Sequence, residues 1–275
     1  MFWRGNQQRF LEIILFFGMV SFLCVQQSSA ALSWTELKGD HFLIYYSSAE
    51  DLNISQQVLR EAESDYRNIA EQIGYARYQD FWTWENRVKI YLYPDEETFS
   101  KETQQPSWSR GFSFRDAHVR ATRIIVTFKQ EGDFIDGVLP HEITHLILRD
   151  FMGQQPLPLW FNEGMAQLQE RTKAESAQRI MRKLVKMQKQ LPMAELLAKE
   201  NVVREDSPIN VAIFYAESIS ILDFLIKKYG SGDFATMCKE LRDGKNFGQA
   251  LKSTYSDTFD SVSVFEQKWL NYLRE

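Results

Sequence analysis

Residues 41–46 (His-Phe-Leu-Ile-Tyr-Tyr) read as a strand, and 88–93 (Val-Lys-Ile-Tyr-Leu-Tyr) alternate apolar and polar with the period of two of a half-buried strand. Between them, Val58, Ala62, Ile69 and Ile73 recur at helical spacing, which predicts a helix over about 54–73 that Gly74 ends. Pro94 and Asp95 turn into a short helix through Phe99, and 107–116 read as an irregular loop. A third strand is predicted over 121–128. Beyond Gly132 the pattern becomes helical throughout. One helix is expected around 138–152, a long one over 161–189, then 193–199, 211–229 and 234–241.

This change of character near residue 130 predicts an α+β fold: an N-terminal α/β lobe with a small mixed sheet and a C-terminal helical lobe. No repeat or flexible linker separates the two, so 31–275 are expected to fold as one domain. The helix near 140 presents Val138, Leu139, Ile143, Leu146 and Ile147 as a buried face. Asp136 or Gly137 can cap its start, Pro140 falls in its first turn, and Gly153 and Pro156 stop it.

That helix carries His141-Glu142-Ile143-Thr144-His145, an H-E-x-x-H motif that uses two of the chain's four histidines. Residues four apart lie nearly above one another on a helix, so both imidazoles can reach one ion, while Glu142 projects about 100° around, beside it. Eighteen residues after His145, Glu163 supplies a carboxylate. A catalytic zinc takes three protein ligands and keeps a position for water. His141, His145 and Glu163 make that set for one Zn2+ per chain, and Glu142 is placed as the general base.

Together with Leu159-Trp160-Phe161-Asn162-Glu163-Gly164-Met165-Ala166, the motif resembles the gluzincin superfamily of metallopeptidases, most closely its small peptidase MA-like families. The likeness spans the whole mature chain, from the strand at His41 to the closing Trp269-Leu270-Asn271-Tyr272-Leu273, but is specific only in the two metal-site segments. The resemblance implies the same zinc ligands and base, with substrate lying in a cleft between the lobes. It also implies that the strand over 121–128 forms the sheet edge above that cleft, where it could pair with an extended peptide. On the residues alone, an interior position for this strand stands equally open. Many relatives carry an acidic residue four positions after the third ligand to orient a histidine; here Gln167 stands there, which implies a less basic site. Tyr215 is the candidate oxyanion donor, since relatives often have a tyrosine in the corresponding place, with His118 second; simple packing of Tyr215 remains the alternative.

Three functional readings follow: a zinc metallopeptidase acting on peptide bonds, a zinc amidase acting on a cell-envelope or small conjugate substrate, and a zinc-stabilised binding protein without catalysis. A net charge of −5 gives no basic surface for nucleic acid or anionic membranes, and neither is expected as a partner. With 44% hydrophobic and 14% aromatic residues, 275 positions can bury a sizeable core. The basic run from Arg171 to Lys189 reads as a solvated helix face, and Met181, Leu184, Val185 and Met187 as packing residues. Trp82 and Trp84 are expected to pack at a strand edge or in the core.

The first thirty residues have a signal-peptide profile: Arg4 and Arg9, an uncharged apolar stretch over 13–25, then Ser28-Ser29-Ala30. Cleavage before Ala31 or Leu32 would export the chain to the periplasm or exterior with no stable membrane insertion; an uncleaved anchor from Phe10 is the other reading. Cys24 lacks the small residues that precede a lipid-modified cysteine. The mature chain keeps Cys238 alone and so has no internal disulfide.

Overall fold

The computed structural model describes residues 32–47, 51–75, 82–106, 109–116, 122–129, 134–201 and 207–275. The signal-peptide segment 1–30 and His118 lie outside them. Trp34–Glu275 form one compact unit.

Five strands make one mixed sheet: β1 (Thr35–Lys38), β2 (Phe42–Tyr46), β3 (Val88–Tyr93), β4 (Gly111–Asp116) and β5 (Thr122–Phe128), ordered β1-β2-β3-β5-β4. The β2–β3 and β3–β5 pairs are parallel, and the outer pairs β1–β2 and β4–β5 are antiparallel. Alternation sets the faces. Phe42, Ile44, Val88, Ile90 and Leu92 point into the main core, which the long helix α1 (Leu52–Ile73) helps to cover. On the opposite face, the short helix α2 (Glu96–Thr103) lays Phe99 on Val126 and Phe128 as a second, small core. Asp95 caps α2 by accepting a bond from the Thr98 amide at 2.7 Å.

The chain then becomes helical: α3 (Leu139–Met152), α4 (Leu159–Leu168), α5 (Lys173–Lys186), α6 (Met193–Ala198), α7 (Pro208–Tyr229), α8 (Ser231–Arg242), α9 (Phe247–Thr254) and α10 (Val262–Arg274). α7 is apolar and long enough to cross a membrane. In this fold it is the core helix: Phe214 and all of 216–225 are buried, and α4 and α5 pack against it. Two of its buried serines are bonded locally or to a neighbour. Ser218 donates to the Phe214 carbonyl, and the Trp269 indole donates to Ser220.

Several expectations need correction. The stretch read as an irregular loop contains β4, whose aromatic Phe112 and Phe114 stack on each other. β4, not β5, is therefore the sheet edge. β5 is interior, bonded on both sides and buried over 125–128, which its run of Ile-Ile-Val reflects. The long helix expected over 161–189 is two, α4 and α5, broken at 169–172. The start of α3 has no side-chain cap; a π-helical turn over Phe134–Val138 runs straight into it, so Asp136 and Gly137 lie inside helical backbone. Trp82 is fully buried and donates its indole N–H to Asp150 at 2.7 Å, whereas Trp84 is 82% exposed. Met181, Leu184 and Val185 pack into the core, but Met187 is exposed.

Candidate metal centre

Helix α3 is held from both sides. Ile143, Leu146, Ile147 and Leu148 are buried against α1 and the sheet, and Asp150 near its end accepts hydrogen bonds from Trp82 and Arg123, with Arg115 3.8 Å away. A buried carboxylate with two guanidinium neighbours and an indole donor fixes the helix rotation as well as its position. That rotation turns His141, Glu142 and His145 away from the core.

Glu163 comes from α4, whose approach to α7 is unusually close at Gly164. A Cβ there would lie 2.8 Å from Leu222 Cδ1 and 3.0 Å from Ser218 Cβ, so only glycine lets the two helices meet at this distance. Trp160 and Phe161 anchor the same helix in the core. Arg171, just past α4, donates to Glu61 of α1 at 3.0 Å and pairs with Asp136 at 2.9 Å, which ties the end of α4 to the start of α3.

One donor atom each from His141, His145 and Glu163 fall within 4.8 Å of one another. The Nε2 atoms of the two histidines are 3.0 Å apart, and His145 Nε2 is 3.8 Å from Glu163 Oε1. The other ring nitrogens are already engaged: His141 Nδ1 lies 3.0 Å from Glu170 Oε1, and His145 Nδ1 lies 3.0 Å from Asn162 Oδ1. With both Nδ1–H groups donating, two Nε2 lone pairs face each other, an arrangement that a cation between them resolves. Zinc bonds of about 2.0–2.1 Å in tetrahedral geometry need donors roughly 3.3 Å apart. The His141–His145 and His145–Glu163 spacings lie within about half an ångström of that value, a donor set that suits the ion, and side chains 15–21% exposed leave it a way in.

The electrostatics separate the two imidazoles. Burial works to lower the His141 pKa, but the bond to Glu170 and the charges of Glu142, Glu170 and Glu163 outweigh it and leave the pKa raised. For His145, burial and the neighbouring His141 prevail and lower it. A low pKa keeps an imidazole neutral, the form that ligates a metal.

Glu142, His145, Asn162 and Glu163 line one cleft of about 390 Å³, together with Phe112 and Ser113 of β4. Tyr215 is not part of that lining. It sits partly buried on α7, close enough that burial and then the charge of Glu163 raise its pKa. The carboxylate that Gln167 was expected to lack arrives from Glu170, three residues further on, where the chain has left the helix. Glu170 and Asn162 were missed in the sequence. Asn162 had a signal, lying beside Glu163 inside the motif; Glu170 had none, because its place depends on where α4 stops.

A family model described as the Peptidase MA superfamily matches residues 78–275. No curated protein sequence matches the chain. Among solved structures, that of native yeast LTA4 hydrolase is similar at 14% identity with a TM-score of 0.46; the match covers 88% of this chain and 39% of that one.

Proposed function

The chain belongs to the Peptidase MA superfamily, and from that membership and the geometry of the site we propose that it is an exported, zinc-dependent metallopeptidase of the gluzincin type. The observation that carries this reading is the convergence of His141, His145 and Glu163, the last two lining one cleft with Glu142. Zinc held there would supply Lewis acidity to a water and to the substrate carbonyl.

Glu142 is the general base: it takes the water's proton as the oxygen attacks the carbonyl carbon, then returns that proton to the leaving nitrogen. Glu170 and Asn162 hold the two imidazoles in the tautomer that directs Nε2 inward. Tyr215, its phenol kept protonated by burial and by Glu163, is the donor assigned to the developing oxyanion. Among the described residues no strand pairs with the outer edge of β4, so its backbone N–H and C=O groups are offered to an extended chain, which favours a peptide over a small conjugate. Export rests on the leader profile of residues 1–30.

Elemental analysis and peptide hydrolysis, run together on three proteins, test this. Wild type should hold one zinc and cleave peptides, Glu163→Ala should lose the zinc on dialysis, and Glu142→Gln should keep it but lose hydrolysis by at least 100-fold. A wild type without zinc after reconstitution, or an active Glu142→Gln, overturns the reading. An intact mass beginning at Met1 overturns the cleaved leader.

A further inference from the structure

Beside the cleft lies a second, larger and more apolar chamber of about 510 Å³. Met152 at the end of α3 and Gln155 in the following loop line both spaces, so the two adjoin at these side chains. The walls of the chamber are apolar: Trp160 and Phe247, edge to face with centroids 5.0 Å apart, and Leu197 and Val262 from two further helices. The loop between α8 and α9 adds Gly244, at φ +95, and the first turn of α9 adds Gly248; neither puts a side chain into the space. Lys245 of the α8–α9 loop also lines the space, paired with Glu240 and bonded to Ser253 at 2.9 Å. Concave apolar surface kept open between four helices, next to a reactive centre, is the form of a side-chain subsite.

We propose that this chamber receives a bulky apolar side chain, the size of phenylalanine or leucine, of the bound peptide. The proposal rests on the peptidase reading above and names the substrate class for it. The position follows from helix and strand dimensions. Met152 is seven residues beyond His145, roughly 10 Å along α3 at about 1.5 Å per residue. An extended peptide advances about 3.3 Å per residue, so the side chain that enters belongs about three residues from the bond cleaved. The selected peptide thus carries its large apolar residue away from the scissile bond rather than next to it.

The test uses acetylated, amidated alanine/lysine decapeptides in which one phenylalanine is walked along the sequence, with cleavage sites read by mass. Phenylalanine two to three residues from the cleaved bond, on one side only, should raise kcat/KM about 30-fold over alanine, the gain expected for burying that side chain. Leu197→Trp and, separately, Val262→Phe fill the chamber and should bring this ratio to near one, with a thermal melt confirming that each is folded. Binding to the Glu142→Gln protein, followed by tryptophan fluorescence, gives the same comparison without turnover: the phenylalanine peptide should bind at least tenfold tighter than the all-alanine one, and Leu197→Trp should remove the difference. A preference that survives both filled variants, or one confined to the residue beside the scissile bond, overturns the proposal. If no peptide is cleaved at all, the peptidase reading falls, and the binding comparison alone decides whether the chamber takes the side chain.

Discussion

Glu170 Oε1 sits 3.0 Å from Nδ1 of His141, and the residue that places it there is in the turn after α4, not on the helix that carries Glu163. The same carboxylate has Lys173 3.6 Å from its other oxygen and is only 17% exposed, so its orientation is set before any metal arrives. Asn162 does the corresponding work for His145.

Removing that carboxylate should loosen the metal. Glu170→Ala is expected to weaken zinc binding 10- to 100-fold, the usual effect of losing a partner to a ligand histidine, measured by competition with a chelator. Gln167→Glu should leave it within about threefold, because both Nδ1 atoms already have partners. Equal effects from the two substitutions would show that the assignment of Glu170 is wrong.

Gly164 should tolerate nothing larger. In Gly164→Ala the added methyl meets Leu222 and Ser218 at 2.8–3.0 Å, and the nearby Ser218 backbone carbon at 3.1 Å cannot turn aside. Overpacking of this kind costs about 1–3 kcal/mol, or roughly 3–10 °C in Tm for a domain of this size. Because Glu163 is the preceding residue, zinc affinity should fall as well; calorimetric melts with and without zinc separate the two effects.

Stability should decline as pH rises through the range governed by Glu217. Its side chain is fully buried, one oxygen accepts from the Leu191 amide at 3.0 Å and the other has no partner among the described residues. Burial, opposed by the Leu191 bond and assisted by Glu266 and Glu195, pushes its pKa up to about 8 from the ordinary 4.5. The folded state thus keeps a proton that the unfolded state has lost. The stabilising contribution is complete below about pH 4.5 and fades by up to about 1.4 kcal/mol per unit until about pH 8. Glu217→Gln should therefore match wild type near pH 5 and exceed it near pH 8 in denaturant melts. Parallel pH profiles for the two proteins would contradict this.

Much of the site was readable because it lies on one regular helix. His141 and His145 are brought together by a four-residue spacing that any α-helix satisfies, and Glu163 by a motif of the following helix. The α+β class was legible too, since the inward positions of β2 and β3 alternate cleanly. What escaped depended on partners distant in sequence. β4, Gly-Phe-Ser-Phe-Arg-Asp, has too few apolar residues on either face to announce itself; it is a strand because β5 offers it a ladder from Gly111↔Thr127 to Asp116↔Thr122. The break between α4 and α5 has no proline or glycine, and Arg171 fixes it through Glu61 and Asp136, residues 110 and 35 positions earlier. Trp84 likewise looked like packing until the turn that carries it was seen to face outward.

That no described strand pairs with the outer edge of β4 has another side. An edge able to receive a peptide is equally able to receive a neighbour, and exposed edges are where folded proteins begin to aggregate. The opposite edge, β1, is four residues long and bears Glu36 and Lys38, which blunt it. β4 has its charges only at the far end, Arg115 and Asp116, while the part beside the cleft presents Phe112 and Ser113. Self-association at high protein concentration should therefore start at the mouth of the catalytic cleft, and a bound peptide should act as the protein's own solubiliser.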